Sequence, residues 1–233
     1  MLEQVWRRAS GAARIDRLLI ATDDTRIERA ATDFGAEVVM TSPDHPSGTD
    51  RVAEVVRDAS EKYDIVVNIQ GDEPLVTPTS LDRLLEPFDR SAPPDMATLA
   101  EPIELVDELF DPNVVKLVTD DDGKALYFSR SPIPYHRGQS AELTVDFRKA
   151  LARRPGGLAR YRKHQGIYGY TRETLLFLTE RTPSPLEIDE GLEQLRALES
   201  GRSIEVVESD FRSMGVDTPA DLERVQRILT EAN

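Results

Sequence analysis

Short apolar runs alternate along the chain with stretches in which apolar residues recur every three or four positions. Runs of the first kind predict buried strands, and stretches of the second kind predict amphipathic helices. This alternation is typical of an α/β fold in which helices flank a mostly parallel sheet. The predicted strands are 15–21, 36–40, 65–69, 96–100, 114–119, 124–129, 166–170 and 204–208. The predicted helices are 1–14, 24–34, 49–59, 78–90, 171–179, 186–199 and one that starts at Pro219.

Two segments modify this simple alternation. Asp120, Asp121, Asp122 and Gly123 form a tight turn between two predicted strands, which predicts a hairpin and hence a small antiparallel excursion. Residues 138–163 are polar and basic without a clear period, so we expect an insertion or a flexible segment there. Nothing else in the pattern resembles a linker or an internal repeat. We therefore expect residues 1–233 to form one domain.

Composition excludes several classes of protein. The 233 residues carry 29 Lys and Arg against 43 Asp and Glu, a net charge of −14, which argues against a nucleic-acid or anionic-membrane partner. The absence of cysteine removes disulfides, thiolate catalysis and cysteine-bound zinc. No apolar run approaches the roughly 20 residues that span a bilayer, and the first residues do not have the pattern of a signal peptide. We expect a cytoplasmic protein.

Two polar clusters follow predicted strands, where ligands bind in open α/β sheets. In the cluster Asn-Ile-Gln-Gly-Asp-Glu-Pro (68–74), Gly71 lets the backbone come close to a ligand and Asp72 offers the hard oxygen that Mg²⁺ prefers. In the second cluster, Ser47, Gly48 and Thr49 begin a helix whose free N–H groups suit an anion or a nucleotide hydroxyl. The structural alternatives are an ordinary strand-to-helix turn for the first cluster and an ordinary N-cap for the second.

Polar residues later in the chain also allow both a functional and a structural interpretation. Asp217 is a metal ligand if the fold brings it beside Asp72, and otherwise it belongs to a helix start with Pro219 at the first helical position. Arg130 ends a predicted strand and offers a planar fork for a carboxylate or phosphate. Acidic residues next to Leu192 and Leu195 could simply be the solvated side of a helix. Each of these signals is weak by itself.

In their joint order, the motifs resemble those of the CMP-KDO synthetases, the 3-deoxy-manno-octulosonate cytidylyltransferases. The matching motifs are ATDD, SGTDR, NIQGDEP, DPNVVKLV, ALYFSRSPIP, HQGIYGY, PSPLE followed by LEQLR, and GVDTPADLERV. The resemblance implies a Rossmann-like nucleotidyltransferase fold. It also implies that CTP and 3-deoxy-D-manno-octulosonate (KDO) are converted to CMP-KDO and diphosphate. The nearest alternative is a cytidylyltransferase for another acidic sugar, such as a sialic acid.

The resemblance assigns roles to individual residues. Asp72 and Asp217 would be the catalytic pair, because they would hold Mg²⁺, the implied cofactor. The residues implied to bind the nucleotide are Ser47, Gly48, Thr49, Arg51 and Gln70. The residues implied to bind the sugar acid are Arg130, His164, Tyr168, Glu193 and Gln194. The family also suggests a homodimer formed through residues 125–134.

One departure from the family pattern concerns the nucleotide phosphates. Family members open with a strand and an Arg/Ser/Lys-rich loop of the form ARxxSTRLPGKPL, whereas residues 1–14 correspond to the helix that follows this loop. A sheet without that strand would leave backbone groups unpaired. We expect the cytidylyltransferase domain to be N-terminally incomplete, and the chain as written to be poorly soluble and inactive. The alternative is a shortened, non-catalytic relative.

Overall fold

The computed structural model describes residues 1–135, 151, 156–216 and 219–231. The described helices are α1 (Leu2–Ala9), α2 (Thr25–Asp33), α3 (Gly48–Asp58), α4 (Pro78–Leu85), α5 (Val106–Phe110), α6 (Arg172–Thr179), α7 (Pro185–Glu190), α8 (Gln194–Glu199) and α9 (Pro219–Glu231). The described strands are β1 (Leu19–Thr22), β2 (Glu37–Met40), β3 (Ile65–Asn68), β4 (Met96–Pro102), β5 (Lys116–Thr119), β6 (Ala125–Ser129), β7 (Arg162–Thr171) and β8 (Ile204–Glu208). In the described ranges, strands and helices alternate for most of the first half of the chain, where α5 was not predicted; β5, β6 and β7 and then α6, α7 and α8 follow one another.

Strand β7 organises the larger of two sheets. It runs antiparallel to β4 on one side, and to β3 and β5 on the other. The parallel pairs are β4 with β8 and, in a separate two-stranded sheet, β1 with β2. The larger sheet is therefore mixed and mainly antiparallel, where the pattern predicts a mostly parallel sheet with one hairpin of β5 and β6. The reason is that β7 is ten residues long and pairs with three strands.

A bulge interrupts the pairing of β4 with β7. Thr98 is opposite Tyr168, whereas the next residue, Leu99, is opposite Gln165. The two extra residues on β7 are Gly166 and Ile167, and the hydroxyl of Thr98 donates to the Ile167 carbonyl at 2.9 Å. Bulges often redirect side chains next to functional sites. This one lies between the aromatic residues of β7 and the start of the strand.

Apolar side chains pack on both faces of the larger sheet. Along β4, Met96 and Ala100 belong to one buried cluster and Ala97 and Leu99 to another, as alternation along a strand requires. A third cluster includes Tyr161, which falls in the predicted insertion. That end of the insertion is therefore packed, and β7 begins within it. Residues 136–150 and 152–155 of this region lie outside the described part of the chain.

A cavity of about 1300 Å³ separates the two sheets. Residues of β1 and β3 line it, together with Val5 and Ala9 of α1. In the described residues β1 pairs only with β2, and β3 only with β7. The first three residues of β1 and of β3 are consequently only half-buried, although their apolar character predicts burial. The two sheets are not continuous here.

Several helices differ from their predicted bounds. The predicted helix 78–90 is α4, which ends at Leu85 and is followed by a 3-10 helix at Glu86–Asp89. The predicted helix 186–199 is interrupted at Gly191, whose left-handed backbone (φ 62°) ends α7 before α8 begins. Glycine reaches this conformation at little cost, which makes it a common helix stop. The first helix ends at Ala9 and not at residue 14. None of the helices in the described ranges combines the length and apolar character needed to cross a membrane.

Candidate active site

A cleft of about 360 Å³ brings together residues from both predicted substrate groups. Its walls are the N-terminus of α3, the segment after β3, the aromatic part of β7 and the turn before α8. The predicted site residues that line it are Ser47, Gly48, Thr49, Gln70, Asp72, Tyr168, Glu193 and Gln194. The segment after β3 lies at the carboxyl end of that strand, where the sequence predicts a ligand site.

A direct hydrogen bond joins the two predicted groups. Oγ1 of Thr49 donates to Oε2 of Glu193 at 2.7 Å, across 144 positions of sequence. Thr49 is in the first turn of α3, and Glu193 immediately precedes α8. The N-terminus of α3 and the turn before α8 are therefore two walls of one site.

The start of α3 is a capped helix terminus that faces the cleft. Oγ of Ser47 accepts from the backbone N–H of Asp50 at 3.3 Å and donates to its Oδ2 at 2.7 Å. The first N–H groups of a helix have no partner within it, and the helix dipole favours an anion at this end. The predicted N-cap and the predicted anion site are thus compatible, because the cap satisfies the N–H of Asp50 and leaves those of Gly48 and Thr49 without a partner in the helix.

Asp72 presents a carboxylate to the cleft. It is partly exposed and forms no hydrogen bond or ion pair with any residue that the structure describes. Both of its oxygens are available to a hard cation, so the donor chemistry fits Mg²⁺. Within the described ranges no three His, Asp or Glu side chains converge on one point to hold a metal. Asp217, the second predicted ligand, lies outside the described residues, so its position beside Asp72 stays a prediction.

Glu73 and Ser213 form a buried polar pair that the sequence did not reveal. Glu73 also lines the cleft and is only 8% exposed, and burial raises its pKa. Oγ of Ser213 donates to Oε1 of Glu73 at 2.7 Å. The pair lies 140 positions apart in sequence, and no local motif signals it. It ties the segment after β3 to the segment after β8.

Two tyrosines of β7 form part of the cleft wall. Tyr168 and Tyr170 lie with ring centroids 5.8 Å apart, and burial raises the pKa of both hydroxyls. The charge of Glu193 raises these pKa values further, so both hydroxyls stay protonated at neutral pH. Only Tyr168 was among the predicted site residues. Tyr170 follows it on the same face of the strand, at the two-residue spacing that could have identified it.

His164 lies behind the cleft wall and is not among the cleft residues. Its ring packs 5.3 Å from that of Tyr168 and 5.1 Å from that of Phe128. Nε2 is 3.0 Å from Oγ1 of Thr98, and the direction of this hydrogen bond depends on the tautomer of the ring. Burial lowers the pKa of His164 to about 3. His164 supports Tyr168 through the contact between their rings, and its own contact with the sugar acid stays a prediction.

Arg130 and Arg51 do not reach the cleft. The guanidinium of Arg130 donates to the carbonyl oxygens of Glu190 at 2.7 Å, Pro112 at 2.8 Å and Gly191 at 3.2 Å. Because Glu190 and Gly191 lie at the C-terminal end of α7, Arg130 holds that end of the helix. Arg51 binds Thr41, Ser42 and Asp23 at the ends of β1 and β2. It lines the larger cavity, which shares Gly48 and Gln70 with the cleft.

Gln194 supplies an unused donor. The residue is 5% exposed and lines the cleft, and its Nε2 is buried without a partner in the described chain. Buried donors are nearly always paired in folded proteins. A ligand with an acceptor atom in the cleft would satisfy this one, in agreement with the predicted role of Gln194.

The cleft itself is acidic. The carboxylates in its walls belong to Asp50, Asp72, Glu73 and Glu193. The one arginine or lysine in these walls, among the residues described, is Arg196, which is paired with Glu187 through its Nε at 2.7 Å. An anionic substrate therefore needs cations beyond those of the cleft walls.

A mixed sheet with a capped helix terminus and a free aspartate at a strand end is an arrangement suited to nucleotidyl transfer. The sequence profile of the cytidylyltransferase family matches residues 1–204, and this protein is accordingly a cytidylyltransferase by family. Its relatives define the family more narrowly. The 3-deoxy-manno-octulosonate cytidylyltransferase of Solibacter usitatus is 48% identical over 98% of this chain and 83% of that protein. The chain belongs to the 3-deoxy-manno-octulosonate cytidylyltransferases, the CMP-KDO synthetases.

Two further comparisons agree with this assignment. The corresponding protein of Geobacter metallireducens is 46% identical over 97% of this chain and 85% of its own length. A solved structure described as CMP:2-keto-3-deoxy-manno-octonic acid synthetase complexed with CTP is 38% identical and has a TM-score of 0.85. It is matched over 100% of this chain and 88% of that chain. The predicted family and the predicted nucleotidyltransferase fold are both confirmed.

Proposed function

We propose that this protein transfers CMP from CTP to KDO and releases diphosphate. The observation that carries the proposal is the Thr49–Glu193 hydrogen bond, because it joins the predicted nucleotide wall and the predicted sugar wall in one cleft. The relatives named for this reaction support it, and so does the similar synthetase described in complex with CTP.

The reaction is an in-line displacement at the α-phosphorus of CTP. The oxygen of the sugar's anomeric hydroxyl forms a bond to this phosphorus while the bond to the β-phosphate oxygen breaks. Diphosphate leaves, and the hydroxyl proton passes to solvent. Alignment and charge stabilisation supply most of the rate enhancement in such reactions. A cleft that holds both substrates at once meets this requirement.

The nucleotide would lie along the wall formed by Ser47, Gly48 and Gln70. Free N–H groups at the start of α3 would bind its oxygens. Gly48 leaves open space for a close approach, because no atom lies within 4 Å of the position of an added Cβ. Arg51 would act from the larger cavity, which Gly48 and Gln70 also line.

Asp72 would hold Mg²⁺, together with Asp217 by the family resemblance. A bound Mg²⁺ offsets phosphate charge and lowers the pKa of a nearby hydroxyl. The acidic cleft walls are consistent with a divalent cation as part of the substrate complex. Asp72 contributes a ligand here without breaking an existing contact.

The sugar acid would lie against Glu193, Gln194 and Tyr168. Glu193 accepts from sugar hydroxyls, and the unpaired Nε2 of Gln194 donates to an oxygen. The protonated hydroxyl of Tyr168 can do either. The described cleft walls hold no unpaired cation for the two anionic substrates, so we also propose that turnover needs the Arg/Ser/Lys-rich loop of the family.

We further propose a cytoplasmic homodimer, formed through the segment 125–134. Leu126 is 60% exposed on β6, an edge strand, and Tyr135 is 65% exposed just beyond the segment. Exposed edges and apolar side chains favour association with a second copy. Sedimentation of the wild-type protein and of Leu126→Glu tests this, and a monomer in both would contradict it.

Diphosphate release with CTP, Mg²⁺ and an acidic sugar tests the proposed function. The assay compares KDO with N-acetylneuraminate, in the 233-residue chain and in the same chain extended by the family's strand and loop. We expect release only with KDO, and only from the extended chain. Release that depends on N-acetylneuraminate would favour the sialic acid alternative.

A further inference from the structure

The side-chain proton of Thr49 is already engaged within the cleft. Oγ1 donates it to Oε2 of Glu193 at 2.7 Å. A hydroxyl has one proton to give, so this proton is not available to a nucleotide oxygen. Tyr170 lines the same cleft. The backbone of Thr49 belongs to the nucleotide wall, whereas its side chain is directed towards the sugar residues.

Glu193 depends on this contact for its orientation. The residue is exposed, and it lies in the short turn between the left-handed Gly191 and α8. Its carboxylate has Thr49 as its hydrogen-bond partner among the described residues, and Oε1 stays free. An exposed glutamate loses rotamer entropy when a ligand immobilises it. A carboxylate that is already held by Thr49 loses less.

We infer that Thr49 is a positioning residue for the sugar acid: it holds Glu193 so that Oε1 meets a sugar hydroxyl. The inference rests on the proposed function, since it takes Glu193 as part of the sugar subsite. It changes the role expected of Thr49 from nucleotide contact to sugar recognition. This role requires a hydroxyl group at position 49, but it does not require the methyl group of threonine.

The test compares Thr49→Val with Thr49→Ser by calorimetric titration, in the chain extended by the family's strand and Arg/Ser/Lys-rich loop. Valine keeps the shape and removes the donor, whereas serine keeps the donor. We expect Thr49→Val to weaken KDO binding about tenfold, as the loss of a hydrogen bond to a charged group suggests, while the Kd for CTP changes less than twofold. Thr49→Ser should retain wild-type affinity for both ligands. Thermal unfolding of each variant checks that the fold is retained.

A double-mutant cycle with Glu193→Ala separates positioning from a general effect. In the Glu193→Ala background, which has no acceptor for the Thr49 hydroxyl, Thr49→Val should have little further effect on KDO affinity, because both changes remove the same interaction. Equal losses for KDO and CTP, or additive losses in the cycle, would overturn the inference. Unchanged KDO binding by Thr49→Val would overturn it while leaving the proposed function intact. Absence of KDO binding by the wild-type protein would overturn both.

Discussion

Ser213 donates a 2.7 Å hydrogen bond from Oγ to Oε1 of Glu73, the residue that follows Asp72. The other polar groups of Ser213 are held as well: its N–H donates to Oε1 of Glu101 at 3.1 Å, and its carbonyl accepts from Nζ of Lys163 at 3.0 Å. Three buried or half-buried charged side chains thus fix one serine. The segment after β8 is thereby anchored to the segment that carries Asp72.

Replacing Ser213 by alanine should destabilise the protein. The change removes a donor from a buried carboxyl group, and an unsatisfied buried group costs about 1–3 kcal/mol. Urea unfolding would measure this loss. Ser131→Ala is a matched control, because Ser131 is exposed and should shift the free energy of unfolding by less than about 0.5 kcal/mol. Equal stability of the two variants would contradict the anchoring role of Ser213.

Asp72→Asn should abolish turnover without loss of fold. The substitution removes the negative charge proposed to bind Mg²⁺, and it breaks no contact with a described residue. Diphosphate release and thermal unfolding provide the two measurements, with Asp121→Asn in the exposed hairpin turn as the control. Substantial activity in Asp72→Asn would show that the metal is held elsewhere.

Glu193→Ala should raise the KM for KDO far more than the KM for CTP. The carboxylate proposed to accept from sugar hydroxyls is lost, and hydrogen bonds to charged groups contribute about 1.5–3 kcal/mol, or at least about tenfold. Steady-state kinetics with each substrate varied in turn would separate the two constants. A similar rise in both would place Glu193 in the general organisation of the cleft.

His164 should make stability depend on pH below neutrality. The pKa of His164 is lowered from an ordinary value of 6.5 to about 3 in the folded protein. Between these two pH values the unfolded chain therefore binds a proton at His164 and the folded protein does not. Stability is therefore lost as the pH falls from 6.5 towards 3. Between pH 7 and pH 5 the loss should be about 2 kcal/mol, at 1.36 kcal/mol per pH unit.

The measurement is the free energy of unfolding of wild-type protein and His164→Gln at both pH values. Other acidic groups change both proteins alike, so the difference between the two isolates His164. We expect this difference to change by about 2 kcal/mol between pH 7 and pH 5. Parallel pH profiles would mean that His164 is accessible to protons in the folded state.

Local signals in the sequence predicted much of the fold. The strand 204–208 coincides with β8, and Ser47 caps α3 as expected. The pattern did not predict the length of β7, because its first residues, Arg162 and Lys163, are polar but still pair with β5. It also missed the break at Gly191, since the neighbouring residues keep a helical period. The length of β7 depends on backbone pairing, and the helix break depends on one residue with a left-handed backbone. The periodicity of apolar side chains does not report either feature.

For the site, residue type and position after a strand were sufficient to predict that Asp72, Gln70 and the start of α3 line the cleft. They were not sufficient to predict where the long side chains of the arginines point. Arg130 and Arg51 have the right charge, but nearby carbonyl and carboxylate groups bind their guanidinium groups away from the cleft. Contacts such as Glu73 with Ser213 depend on tertiary packing alone. The sequence therefore predicts which segments lie together at the cleft more reliably than it predicts the contacts between individual side chains.

Diphosphate release shows whether one cleft joins CTP to KDO. The purified 233-residue chain, and the same chain extended by the family's strand and Arg/Ser/Lys-rich loop, are each incubated with CTP and Mg²⁺. Each mixture contains KDO, N-acetylneuraminate or no sugar. We expect release from the extended chain with KDO only, and its loss in Asp72→Asn. Release that is independent of KDO, or no release from either form with KDO, would mean that the cleft does not transfer CMP to KDO.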